Sequence, residues 1–358
     1  MISFNTGKVS FGNLENILIP TPTSDIQQFI VDSWGILLPC HPLSCERDEL
    51  FLIGEEHTER YILRLTNPAD SHEIIMMQVS AVNWIEQNGP HLPVPGVLPT
   101  LSGLKIVPVK LGENPVRMAC LTTFLSGELL ATIPATSIQM QNIGRVLAEL
   151  DVALAGFDHK GAHRELAWDL AQAEKCRSML PSKESTHSES RWKLVRNGFD
   201  SFVNEVQPRL RAMRHQVIHA DFNPYNILMD VRDSNKVSGI LDFGDMVYSQ
   251  LINNIAIAAS YQISSETSLK SVTDMVSSYH NMLPLEPEEI DLLYDLIITR
   301  LCMAVTISEY RAKQRPENSK YILKNTATAW RGLERLSTIS RKEANTIFRH
   351  ACQFPPRS

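Results

Sequence analysis

The chain has no uninterrupted apolar stretch of about 18 residues, the length that a membrane-spanning helix requires. Its first residues, MISFNTGKVSFGN, contain no basic segment followed by a sustained apolar run, so neither export nor a membrane span is expected. Cysteine is scarce: six residues, at 40, 45, 120, 176, 302 and 352, with no CxxC spacing. Such a set does not form a disulfide framework and reads as reduced thiols of a cytoplasmic protein. Dense lysine and arginine blocks are missing too, and the formal net charge is -6 with a pI near 6.0. Nucleic acid is therefore not an expected partner, whereas a mildly acidic chain suits a cationic amine ligand. No internal repeat is evident.

What is present is ordinary for a globular chain: 43% hydrophobic and 21% charged residues in a length of 358. That length exceeds one typical domain and implies two lobes or one large α/β unit. Ser24 with Gln27 reads as a capping box opening a helix over 24–34, closed by Gly35. Strands are expected at 49–54 and 60–65 around a polar turn. A helix over 71–86 follows, with Ile74, Ile75, Met77, Val82 and Ile85 at helical spacing, and a break comes at Asn88-Gly-Pro90. Two more strands, 104–110 and 116–124, complete a small sheet, so residues 1–124 form a first lobe. Leu125-Ser-Gly127 is a natural crossing, and residues 128–358 form a second, mainly helical lobe. It opens with an amphipathic helix over 136–155. Helical periodicity recurs near 190–213, 249–263, 266–281, 287–312, 318–336 and 340–351, with a polar loop over 181–191 and an unstructured tail at 355–358.

The most informative stretch is VIHADFNPYNILMDVRDSNKVSGILDFGDMV, residues 217–247. His219-Ala-Asp221 is followed five residues later by Asn226, and Asp242 ends an apolar run sixteen residues further on. An aspartate in a loop can orient an acceptor hydroxyl and take its proton, while an amide oxygen and a second carboxylate are hard ligands for magnesium. Asp221, Asn226 and Asp242 fit those three roles. Short strands at Val217-Ile218 and over 226–229 read as a hairpin that places Asp221 beside Asn226, and the strand opened by Lys236 delivers Asp242 to the same loop. His219 reads as a structural residue that steadies the loop by a hydrogen bond.

HADFNPYN followed by GILDFGDM resembles the catalytic and metal loops of the aminoglycoside phosphotransferase and choline kinase family. SCERD at 44–48, LPVP at 92–95, GFDH at 156–159, Trp168-Asp169 and GILDFGDM at 239–246 are more similar to its hydroxylysine kinase branch. The resemblance runs from about residue 20 to about residue 310. It implies an α+β, two-lobed protein-kinase-like fold and a magnesium-dependent kinase of small molecules that uses ATP or GTP. It further implies a hinge whose backbone near Thr123 to Leu125 bonds the nucleotide base, and a basic strand residue for the donor phosphates. That residue is Arg64, where the family pattern leads one to expect lysine, and the helix acid that would hold it falls at uncharged Gln78, with Asp70 and Glu73 earlier in the helix. The phosphate-covering turn LSCERDE, 43–49, has no glycine, which leaves Ser44, Arg47 and local amides for the task.

For the acceptor, Trp168 and Asp169 resemble the family's pocket segment, and an aromatic ring plus a carboxylate suits a substrate ammonium. Asp245 either touches water on magnesium or caps the following helix; Tyr261, Asp295, Arg300 and Glu309 are further candidates. By resemblance the acceptor is a hydroxylated amine such as hydroxylysine, with homoserine, choline or ethanolamine, and an aminoglycoside as alternatives. A nucleotide-binding regulatory module without turnover is the reading of another class, motivated by Arg64, Gln78 and the glycine-free turn. Oligomeric state is not encoded.

Overall fold

The computed structural model describes residues 19–45, 48–181, 188–263 and 269–355. The chain opens with α1 (Thr23–Trp34), whose Ile26, Ile30 and Trp34 recur every four residues and are buried on one face. Strands β1 (Cys40–Leu43), β2 (Glu49–Ile53) and β3 (Tyr61–Leu65) follow, then α2 (His72–Asn88), β4 (Val97–Leu98), β5 (Val107–Val109) and β6 (Arg117–Thr123). These strands form one antiparallel sheet in the order β1-β2-β3-β6-β4, with β5 also on β6. Phe51, Ile53, Leu63 and Leu65 alternate with less buried neighbours, as the period of two requires, and pack against α1.

After the sheet come β7 (Glu128–Leu129), α3 (Ser137–Ala153), α4 (Glu189–Ser201), α5 (Gln207–Leu210), β8 (His215–Ile218), β9 (Ile227–Met229), β10 (Val237–Ile240) and β11 (Val247–Gln250). The chain finishes with α6 (Leu251–Ser260), α7 (Lys270–Met282), α8 (Pro287–Gln314), α9 (Ser319–Ile322), α10 (Thr326–Leu336) and α11 (Arg341–Ala351). The longest, α8, starts with a proline in its first turn and a capping box between Glu286 and Glu289. Leu292, Leu293, Leu296, Ile297, Leu301 and Val305 bury it almost all round, and α4, α6, α10 and α11 pack on it. Its apolar surroundings belong to a second core, which also takes in Met77, Val82 and Ile85 of α2. The architecture is mixed α+β, as the sequence implies. Among the described residues no helix is long and apolar enough to cross a membrane.

Several local expectations are corrected. α1 begins at Thr23 behind Pro22, with no side-chain cap: Ser24 lies inside the first turn and its hydroxyl bonds to Asp25, so no capping box forms there. The helix expected over 190–213 passes through a π turn at Phe202–Val206 before α5, and that over 318–336 is interrupted between α9 and α10. β8 does not pair with β9. It pairs with β11, while β9 lies between β10 and β7. Strand β11 also separates Asp245 from α6, whose N-cap is Gln250, so Asp245 caps no helix. Residues 182–187 of the expected polar loop and 356–358 of the tail lie outside the described residues.

Helices α3 and α7 approach closely: a Cβ on Gly144 would stand 2.1 Å from the Met275 carbonyl oxygen. Gly144→Ala must push the two helices apart. Unfolding in urea is expected to show a loss of about 1–3 kcal/mol, the usual range for overpacking, and an unchanged midpoint would contradict this account of the α3–α7 packing.

Candidate active site

The loops after β8 and after β10 are stitched together by backbone and side chain. The Leu241 amide donates to the Asn226 carbonyl at 2.8 Å, and His219 Nε2 donates to the Leu241 carbonyl at 3.0 Å. Burial lowers the His219 pKa to about 4, so the ring is neutral and its Nδ1 accepts from the Asp221 amide at 3.3 Å. The loop is held from below as well. Ala220 adopts φ 61 and Asp242 φ 58, a region that residues other than glycine seldom occupy. The Ala220 amide donates to Asn254 Oδ1 at 3.1 Å, and Asn254 Nδ2 donates to buried Asp151 at 2.7 Å. Tyr279 donates its hydroxyl to the other Asp151 oxygen at 2.6 Å. Arg164 clamps the second loop through the carbonyls of Gly244 and Met246.

Within this frame Asp221 and Asn226 meet without a hairpin. The Asn223 amide donates to the Asp221 carbonyl, the Asn226 amide donates to the Asn223 carbonyl, and Asn226 Nδ2 donates to the Asp221 carbonyl and carboxylate at 3.0 and 2.8 Å. The side-chain bonds use Nδ2 of Asn226 and leave its Oδ1. Asp242 accepts from the Gly244 amide on one oxygen at 3.0 Å, an approach that a Cβ on Gly244, 2.8 Å from that oxygen, would obstruct. An amide oxygen and a carboxylate are hard donors that fit magnesium, which commonly keeps waters and phosphate oxygens in its other positions. Among the described residues no cluster of three or more His, Cys, Asp or Glu side chains offers a fuller protein cage.

Two cavities meet at this point. One, of about 590 Å³, is roofed by Leu50, Ile62 and Val97 and floored by Leu228, with Ser44, Arg64, Gln78, Thr123 and Leu125 on its wall. The other, of about 460 Å³, is lined by Trp168, Asp221, Asp245, Tyr261 and Arg300. Tyr225, Asn226 and Asp242 line both. Asp169 is not brought in: it is buried, caps the turn that begins at Leu170, and accepts from Ser249 Oγ at 2.8 Å. Asp295 is likewise elsewhere, paired with Arg341. Arg47 lies outside the described residues.

The acid missing from α2 has a replacement that sequence reading did not find. Arg64 Nε donates to Asp48 Oδ2 at 2.5 Å, and Arg64 Nη1 donates to Gln78 Oε1 at the same distance. Asp48 also accepts from the Asn67 amide at 2.8 Å. The pairing of Leu50 with Arg64 puts Asp48, two residues before Leu50, on the same face as Arg64. That register was the available signal. Burial works against the Arg64 charge, but Asp48, with Cys120 and Asp242, outweighs it and raises the pKa above its ordinary value.

Arg300, 2% exposed, donates to the Trp168 carbonyl at 2.7 Å, stacks on the Trp168 ring with its guanidinium 5.0 Å from the centroid, and stands 3.5 Å from Asp221 Oδ1. Burial pushes the Asp221 carboxyl up to about 7; Asp245 and Asp242 add to the shift, and Arg300 opposes it.

The sheet and the helical body are those of the kinase-like fold. The chain belongs to the phosphotransferase enzyme family, whose model it matches over residues 45–290. It is similar to the hydroxylysine kinase of Danio rerio, 28% identical over 327 residues that cover 87% of this chain and 90% of that one. Among solved structures it resembles a microcompartment-associated aminopropanol kinase, with TM-score 0.62 and 16% identity over 87% of this chain and 97% of that one. It also resembles an amicoumacin kinase in complex with AMP-PNP, Ca2+ and Ami, with TM-score 0.61 and 14% identity over 83% and 88%. The protein is a small-molecule kinase, a phosphotransferase acting on a hydroxyl.

Asp151 supplies a pH prediction. Burial raises its pKa from 3.8 to about 7. The native state thus binds the proton more tightly than the unfolded chain, so this residue's contribution to stability rises as pH falls from 7 towards 4. In urea titrations the stability of wild type relative to Asp151→Asn should increase over that window; a flat difference would show that Asp151 is ionised in the folded protein.

Proposed function

We propose that the enzyme transfers the γ-phosphoryl of ATP or GTP, bound with magnesium, to a hydroxyl of a small amine-bearing metabolite such as hydroxylysine. The observation that carries this reading is the wall shared by the two cavities, Tyr225, Asn226 and Asp242, with Arg64 on one side and Asp221 on the other. The donor occupies the larger cleft. Residues 1–124 form its lobe and 125–127 the hinge, with residues 128–358 carrying the acceptor site. The Thr123 and Phe124 amides are engaged by the carbonyls of Gly96 and Arg60, which leaves the Leu125 amide for the base. Arg64 steadies the donor phosphates from the wall of the cleft, which Ser44 also lines.

Asn226 and Asp242 would hold the metal, which would supply positive charge to the donor phosphates. Asp221 orients the acceptor hydroxyl and takes its proton as the new oxygen–phosphorus bond forms and the bond to the β-phosphate oxygen breaks. Arg300 keeps Asp221 in place and favours its ionised form. Asp245 and the Trp168 ring are suited to an acceptor ammonium. Five buried cysteines without disulfides accord with a cytoplasmic setting.

Turnover of labelled ATP and GTP with a panel of hydroxylated amines tests the reading. Asp221→Asn should lower kcat about 10²–10⁴-fold, the usual contribution of a general base, with nucleotide binding retained. Protein that binds the magnesium nucleotide yet transfers phosphate to no acceptor would defeat the proposal. On the donor side, Asp48→Asn leaves Arg64 without its carboxylate. The KM for nucleotide should rise about tenfold or more, with a smaller change in the KM for the acceptor; equal changes in both would refute this role for Asp48.

A further inference from the structure

Between α8 and α10 the chain is held by little. It leaves α8 at Arg315 (φ -132, ψ 71), makes a 3-10 turn at Pro316–Asn318 and the single turn of α9, and enters α10 from Asn325. Pro316 has no amide hydrogen with which to continue α8. None of the three helical starts has a side-chain cap. Within residues 316–325 only Ile322 is buried. Among the described residues, no hydrogen bond or ion pair joins this segment to anything beyond the adjoining turns of α8 and α10.

The same segment lines the cavity beside Asp221, to which it contributes Tyr321, Ile322, Lys324 and Asn325. The catalytic loop lines that cavity too, and a contact of Lys324 spans segment and loop. The Lys324 ammonium lies 4.1 Å from the centroid of the Tyr321 ring, within the segment, and 4.9 Å from that of Tyr225, on the loop. A cation is attracted to an aromatic face within about 6 Å. The two rings differ in how firmly they are mounted. The Tyr225 amide donates to Asn223 Oδ1 at 2.8 Å, and the carbonyl of the preceding Pro224 accepts from the Ala131 amide at 3.0 Å. Tyr321 belongs to a one-turn helix, which has no stability of its own.

A segment with few buried apolar contacts opens at small cost in free energy. On the wall of a cavity it can gate entry and exit. We propose that residues 316–325 are a lid on the cavity beside Asp221, and that Lys324, between Tyr321 and Tyr225, is the latch that holds this lid to the catalytic loop. Opening breaks the contact with Tyr225 and carries Lys324 and Tyr321 away together; closing returns the ammonium to both rings. Tyr225 also lines the donor cleft, so the latch rests on the wall that the two cavities share. This deepens the kinase reading above and rests on it for the acceptor's place in this cavity.

The test reads opening without turnover. Hydrogen exchange followed by mass spectrometry reports how often the amides of 316–325 are freed. Access is read from the rate at which a maleimide alkylates Ala304→Cys, a position of α8 that lines the cavity, in a Cys45→Ser background that leaves five buried cysteines. Exchange over 316–325 should be faster than over the middle of α8. Lys324 is exposed, so its replacement does not threaten the fold. Lys324→Gln should speed both exchange in the segment and alkylation about two- to fivefold, the worth of an exposed contact between cation and ring. Lys324→Arg and Tyr225→Phe, which keep cation and ring, should match the parent.

Unchanged rates in Lys324→Gln, acceleration of only one of the two processes, equal acceleration by Lys324→Arg, or exchange over 316–325 as slow as in α8 would overturn the lid. A segment that opens as described, in a protein that transfers phosphate to no acceptor, would sustain the lid and defeat the kinase reading instead.

Discussion

The amide of Ala220 is held against Asn254 Oδ1, and Asn254 is held in turn by Asp151, a carboxylate with no exposed surface. Ala220 has the positive φ that turns the chain out of β8 and sets Asp221 in the cavity lined by Trp168 and Arg300. An alanine rarely adopts that conformation without external support. Asp151 comes from α3, Asn254 from α6 and Tyr279 from α7, so three helices converge on one backbone group. The helical body thereby sets the geometry of the loop, and the loop's own hydrogen bonds among Asp221, Asn223 and Asn226 finish it.

Around that support the two halves of the site are built differently. The cavity beside Asp221 is packed and charged, with buried Arg300 linking Trp168 to Asp221. The cleft beside Arg64 is largely apolar and lies under the sheet, and its charge is concentrated in Arg64 and Asp48. Tyr225, Asn226 and Asp242 form the common wall. Phosphoryl transfer needs this closeness, since catalysis there consists mostly of positioning and charge.

Much of this was legible because chain order carries it. The strands over 49–65, the helix after Ser71 and the polar loops at 219–226 and 241–246 follow from periodicity and turn residues that act within a few positions. Strand pairing was less accessible. β8 and β9 are neighbours in sequence and look like a hairpin, yet β8 pairs with β11, nearly thirty residues on. Asp169 misled for a related reason: beside Trp168 it resembles an ammonium ligand, but the turn at Leu170 points it inward to Ser249.

The pairing of Arg64 with Asp48 changes what α2 can control. In a site whose phosphate-binding base is held by an acid on the helix, moving that helix breaks an ion pair and switches the site off. Here the ion pair lies within a single β-hairpin, and α2 contributes only the neutral amide of Gln78. An outward swing of α2 would forfeit one hydrogen bond between arginine and amide while leaving the charge pair intact. The helix is thus a weak lever on Arg64, and Asp48, at the edge of β2, is a strong one.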